Sequence, residues 1–222
     1  MPLKTFYIVP QSSGSTVRVL LGQRQLIQRW VEGKQVQGLI PAHAGQWALF
    51  GGLAEDTQDL SQAAIQLFLN QTGIDLADPN VAARYCVSAQ ELKLIQDNNH
   101  NTFHAYYFTI SDPGMDGLAK DTSAHINNRS VRDGVFLAVA AKEASQAERL
   151  LGPTPAPAEG GWRAYLVTNY YDGKSPGQLN TDIDTLTNQI TQSSQDSDAW
   201  YRLALQQRPA IDTRPKGMPM IF

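Results

Sequence analysis

Apolar residues along the 222-residue chain recur with two different periods, and each period predicts its own kind of element. "TFYIVP" and "STVRVLLGQR" concentrate β-branched and aromatic residues, are separated by the turn-forming "QSSG", and predict paired strands. "RQLIQRWVEGKQVQG" keeps neither period; it reads as a short helix or as an insertion, and Gly33 and Gly38 give it loop character. "QWALF" predicts a short strand ending on the Gly51-Gly52 pair. Leu60, Ala63, Ala64, Leu67 and Phe68 then fall at i, i+3, i+4, i+7 and i+8, which is one apolar face of an α-helix. Asp59 stands where a cap begins that helix, with Gln62 three residues on as in a capping box, and Gly73 stands where a left-handed cap ends it.

Beyond the helix, "VAARYCVSAQEL" and "TFHAYYFTIS" predict strands flanking the polar loop "IQDNNHN", and "GVFLAVAA" predicts a strand running into the helix "AKEASQAERLL". Strands interrupted by helices in this order imply an α/β domain, an α+β layered arrangement with a mixed sheet packed between helices, over residues 1–151. "GPTPAPAEGG", residues 152–161, breaks the pattern and reads as a Pro/Gly-rich linker or surface crossing. Residues 162–222 then form a C-terminal extension with a strand-like "WRAYLVTNYY", two helical candidates, "GQLNTDIDTLTNQITQ" and "DSDAWYRLALQQ", and an extended tail. Trp200, Tyr201, Leu203 and Leu205, with Ile221 and Phe222, give this extension more apolar surface than a linker requires. Either they pack on the domain's own core or they meet a protein partner.

Composition narrows the classes. Hydrophobic residues at 42% against 18% charged describe a globular chain with enough apolar surface for a core. A formal charge of -3 gives no long-range attraction for nucleic acid or an anionic membrane, so nucleic acid is not an expected partner. One cysteine, Cys86, excludes an internal disulfide framework and a cysteine-cluster zinc site; its place in "ARYCVSA" predicts a small buried hydrophobe in a strand. No stretch approaches the roughly eighteen apolar residues of a membrane span, and the N-terminus lacks an apolar signal-peptide core, so a cytoplasmic protein is expected.

Residues 4–150 resemble the Nudix superfamily, whose signature is G-x5-E-x7-R-E-U-x-E-E-x-G-U with U aliphatic. "VLLGQR" is similar to the strand that commonly ends in a basic residue, "GQWALFGG" to the lead-in G-x-W-x-x-P-G-G, and "TGI" sits at its offset. With Gly52 as the first glycine, Gly73 and Ile74 match, and Phe68 keeps an apolar residue at the U position. The chemical half of the signature is missing. Gln58 stands in the first glutamate position, Gln66 and Leu67 in the Arg-Glu positions, and Asn70 and Gln71 in the closing Glu-Glu positions.

In the family these glutamates gather Mg²⁺, because positions 67, 70 and 71 project from one side of a helix, and hard cations require anionic oxygen ligands. The resemblance therefore implies a fold kept and a metal-dependent pyrophosphohydrolase reaction lost, with no catalytic residues and no metal. The alternative is a divergent hydrolase of nucleoside diphosphates linked to another moiety, with Mg²⁺ held by a substitute set such as Glu55, Asp56, Asp59 and Asp133. Otherwise Asp59 is a helix cap, Glu55 keeps the loop in shape, and Asp56 and Asp133 are solvated. His100 and His104 are four apart but in a loop-to-strand segment, where that spacing does not make them converge, and His43 and His125 are isolated. If binding replaces chemistry, the resemblance points to a nucleotide-like ligand at Arg24, Trp47, Phe50, Glu55 and Tyr106, or to a protein partner through the extension. Trp47 and Phe50 are equally at home in a core, and Arg24 at a strand end.

Overall fold

A computed structural model describes residues 3–24, 28–31, 34–39, 46–55, 59–127, 136–151 and 199–211, together with 181 and 184. The strands are β1 (Leu3–Ser12), β2 (Arg18–Arg24), β3 (Gln28–Val31), β4 (Lys34–Leu39), β5 (Trp47–Ala48), β6 (Phe50–Glu55), β7 (Val87–Gln96), β8 (Thr102–Ile110) and β9 (Phe136–Glu143). The helices are α1 (Leu60–Thr72), α2 (Pro79–Arg84), α3 (Asp112–Asn127) and α4 (Ala144–Leu150), and residues 199–206 are also helical.

β1 is the spine of a seven-stranded sheet that runs β5-β2-β1-β8-β7, with β6 added to β1 and β9 to β2. Its apolar run Phe6 to Val9 is buried on both faces, as a central strand requires. Along one edge β1 pairs parallel with β8, from Phe6 opposite His104 to Ser12 opposite Ile110. Along the other it divides. Leu3 to Ile8 pair antiparallel with β6, and Gln11 meets Val19 of β2. The sheet is thus mixed and layered with helices, the α+β arrangement expected from the sequence.

Strand alternation sorts the core into two faces. Phe108 on one face meets Phe68 of α1 at 6.2 Å between ring centroids, and Phe68 meets Phe50 at 5.4 Å. Tyr7 and Phe103 on the other face receive the helix at 199–206: Trp200 stacks on Phe103 at 5.3 Å and Tyr201 meets Tyr7 edge-on at 4.8 Å. For Trp200, Tyr201, Leu203 and Leu205 the structure carries the intramolecular reading, while Ile221 and Phe222 lie outside the described residues. Tyr201, Ala204 and Leu205 belong to the core, and Trp200 and Leu203 pack against it.

Several expectations change. Residues 28–31 and 34–39 form neither a helix nor a loop but an antiparallel pair outside the main sheet. The "VAAR" of the expected strand belongs to α2, which Asp78 caps through the Asn80 N–H with Pro79 in the first turn. Cys86 therefore follows a helix instead of lying within a strand; it is exposed and has φ of 53°. The strand from "QWALF" does not end on the glycine pair, because β6 continues through it to Glu55. α3 has no counterpart in the sequence reading. The linker at 152–161, "WRAYLVTNYY", residues 212–222 and all but Thr181 and Asp184 of the first helical candidate of the extension lie outside the described residues; those two are helical.

Candidate functional site

The signature helix forms where its pattern places it. Asp59, extended at φ −112°, accepts the Gln62 N–H at 2.9 Å, and Gly73 at φ 72° closes the far end by donating to the Leu69 carbonyl at 2.7 Å. Ala64, Ile65, Phe68 and Thr72 face the core. Thr72 ties the last turn by donating to the Phe68 carbonyl and accepting the Ile74 N–H.

The opposite flank carries the described degenerate positions, and Gln66, Asn70 and Gln71 each make a side-chain hydrogen bond there. Gln66 donates from Nε2 to Asn70 Oδ1 at 2.8 Å, an i,i+4 pair along the helix surface. Gln71 reaches β6. Its Oε1 accepts the Gly51 N–H at 2.7 Å, and its Nε2 donates to the Gly51 carbonyl at 2.7 Å. This pairing fits a carboxamide alone, because a carboxylate accepts from the N–H but cannot donate to the carbonyl. Leu67 brings no oxygen.

The glycine in that clamp is forced. At φ 135°, and with a Cβ that would sit 2.1 Å from the Phe6 carbonyl oxygen, position 51 admits no side chain. Opposite Tyr7 in the antiparallel ladder, Gly51 directs its N–H and C=O away from β1 and bonds both to Gln71. Gln58 and Asp56 lie outside the described residues, as does Asp133. Among the described residues no three His, Cys, Asp or Glu side chains come together as a metal would need.

Between α1 and β6 lies an open groove of about 420 Å³. Half-buried Ala54, Ala63 and Leu67 make it apolar, exposed Glu55 and Asp59 give one end two carboxylates, and Gln62, Gln66 and Asn70 continue the polar border. Glu55 is the one candidate ligand contact that lines it. Tyr106 is buried and donates to Gln90 Oε1 at 2.9 Å; burial pushes its phenol up, and it also shares a hydrogen bond with Ser61 and feels the charge of Asp59. Phe50 is fully buried between Phe68 and Phe136, a core residue. Trp47 and Arg24 sit where β5 meets β2: Lys142 Nζ lies 5.7 Å from the Trp47 ring, and the Arg24 N–H donates to the Gln46 carbonyl. The five residues therefore do not converge on one pocket.

Two features escaped the sequence reading. The Gln71–Gly51 clamp leaves only a faint trace, a glutamine twenty residues after an unusual glycine pair. The second is Asp97 in the β7–β8 turn. It accepts backbone N–H groups of Asn99 and Asn101, the Asn101 side chain, and the Trp200 indole at 2.9 Å. Those donors, the indole first, hold its carboxyl down to about 2. His100 in the same turn is exposed with φ 64°, while His104 is buried against Phe6, so the two do not form a site.

No family model matches the chain, and no curated protein matches it. Solved structures do. A mutT/nudix family protein from Listeria innocua matches at 12% identity over 67% of this chain and 81% of its own, with a TM-score of 0.37. A C. elegans Ap4A hydrolase binary complex matches at 12% over 66% and 85%, TM-score 0.36. A Nudix hydrolase from M. smegmatis matches at 13% over 66% and 74%, TM-score 0.33. Likeness this faint says nothing of chemistry.

Proposed function

We propose that the chain is a Nudix-like domain that has lost metal-dependent diphosphate cleavage and acts by binding, either of a nucleotide-like ligand or of a protein partner. One observation carries the reading: at positions 66, 70 and 71 the side chains are amides bonded to one another and to Gly51, and position 67 is a leucine. Such a donor set does not suit Mg²⁺, which takes anionic oxygens and keeps an octahedral shell. Without the ion, neither activation of water nor neutralisation of a diphosphate is available by the family's route. The substitution at 71 goes further than a lost ligand, because the glutamine makes a bond that the glutamate of the signature could not.

The divergent-hydrolase reading has one observation on its side, the pair Glu55 and Asp59 at the groove's end. Calorimetry separates the two. Titration of the whole chain with Mn²⁺ and Mg²⁺ gives no specific heat under the binding reading, and a nucleoside diphosphate linked to a second moiety stays intact. Saturable binding of Mn²⁺ with turnover of such a compound would establish the divergent hydrolase instead.

A further inference from the structure

We propose that residues 179–190 form a helix whose apolar stripe docks on the sheet at Leu3 and Leu53, extending the cover that residues 199–206 begin. Leu53 pairs with Thr5 and Leu3 with Glu55 in the β1–β6 ladder, so Leu3, Thr5, Tyr7 and Leu53 share the face on which Tyr201 meets Tyr7. The cover stops short of the two leucines: Leu3 is 59% exposed and Leu53 61%. Trp200 lies on Phe103, which stands one residue before the parallel Phe6–His104 pair and so beside Thr5. From β8 across β1 to β6 is two strand spacings, roughly 10 Å, and neighbouring helices pack with their axes roughly 8–10 Å apart. One more helix beside residues 199–206 therefore lies over Leu53 and Leu3.

The chain supplies such a helix. Leu179, Ile183, Leu186 and Ile190 fall at i, i+4, i+7 and i+11, a narrow apolar stripe on an otherwise polar segment. Thr181 and Asp184 are helical and exposed, and at about 100° per residue both lie well off that stripe. A short helix of this kind draws its stability from burying its apolar edge. Its place in the chain also fits. Residues 199–206 start at Phe103 and Tyr7, and the Gln207 and Pro209 carbonyls that follow accept from Lys93 and Gln11. The chain thus enters this face at the Leu3 end of β1 and leaves at the far end. The eight residues 191–198 reach at most roughly 28 Å, which keeps Ile190 within range of Leu3 and Leu53. A second copy of the chain lacks that tether and the effective concentration it gives.

Hydrogen–deuterium exchange of the full chain, read on fragments spanning 179–190, tests this. These amides exchange at least about tenfold more slowly than in an unstructured chain, at a rate independent of protein concentration. Leu53→Asp speeds their exchange by about tenfold or more, and Leu3→Asp acts in the same direction. Leu94→Asp alters it by less than about twofold. Leu94 is just as solvated, at 64%, but stands opposite His104 and so on the face of Phe6, away from the proposed helix. A second measurement leaves the sheet undisturbed by charge. In a Cys86→Ser background, Leu53→Cys combined with Ile183→Cys or Leu186→Cys closes a disulfide within one chain on mild oxidation, whereas Leu53→Cys with Asp184→Cys does not. Unprotected amides at 179–190 in the parent, equal effects of Leu53→Asp and Leu94→Asp, or cross-linking at Asp184→Cys as efficient as on the stripe would each overturn the proposal. So would protection that rises with protein concentration or bridges that form only between two chains, the signs of a second copy on this face.

Discussion

The two faces of the sheet are covered by helices in opposite ways. On the C-terminal side, residues 199–206 close the face with rings: Trp200 on Phe103, Tyr201 on Tyr7, and the Tyr107 hydroxyl donating to the Ala204 carbonyl at 2.8 Å. Lys93 and Gln11 donate to the Gln207 and Pro209 carbonyls and tie down the chain that follows. On the other side, α1 buries Ala64, Ile65 and Phe68 but leaves its outer flank beside a groove bordered by small residues and amides. The part of the face covered by residues 199–206 is sealed, so that helix acts as part of the domain's core.

That contrast can be broken most directly at Trp200. Trp200→Ala removes the stack on Phe103 and the bond to Asp97, and we expect a loss of about 3 kcal/mol of unfolding free energy, measured by urea denaturation. The same truncation on the open side, at an exposed amide such as Gln66, is expected to cost no more than a few tenths of a kcal/mol.

Gln71→Glu is the next largest effect. The new carboxylate faces the Gly51 carbonyl where an N–H now donates, so stability falls by about 2 kcal/mol at neutral pH. The introduced carboxyl has its folded-state pKa raised by that neighbour, so part of the loss is recovered as pH falls and it protonates. A pH series of urea midpoints for the variant against the parent checks this, and a variant as stable as the parent at pH 7 would remove the clamp from the account. Acidification gives the smallest effect. Asp97 has its carboxyl lowered in the folded state to about 2, so its contribution is complete above the ordinary carboxylate range and fades as pH falls toward about 2. Near-ultraviolet circular dichroism of the Trp200 environment is expected to change over that window, and Asp97→Asn to abolish the change.

Much of this was legible in the chain, and the limits have physical causes. α1 was readable in full because its face, its cap and its glycine stop are all local signals. α3 was not. Pro113, Gly114 and Gly117 look like turn residues, yet Gly114 is there for packing, since a Cβ would stand 1.9 Å from the Tyr85 carbonyl oxygen. Cys86 was misplaced for a similar reason: the apolar run around it masked the Asp78-Pro79 start of α2, whose end turns the cysteine outward. At the candidate site, the absence of carboxylates at positions 58, 67, 70 and 71 could be read from the chain itself. The use to which Gln71 is put could not, because it depends on a contact between residues twenty apart that only the folded backbone defines.

The outer margin of β6 illustrates what that contact does beyond the site. An edge strand exposes donors and acceptors to which a stray strand from another molecule can add. At Gly51 the carboxamide of Gln71 fills both places and serves as a one-residue neighbouring strand. The rim is thereby closed at this point to sheet growth between molecules.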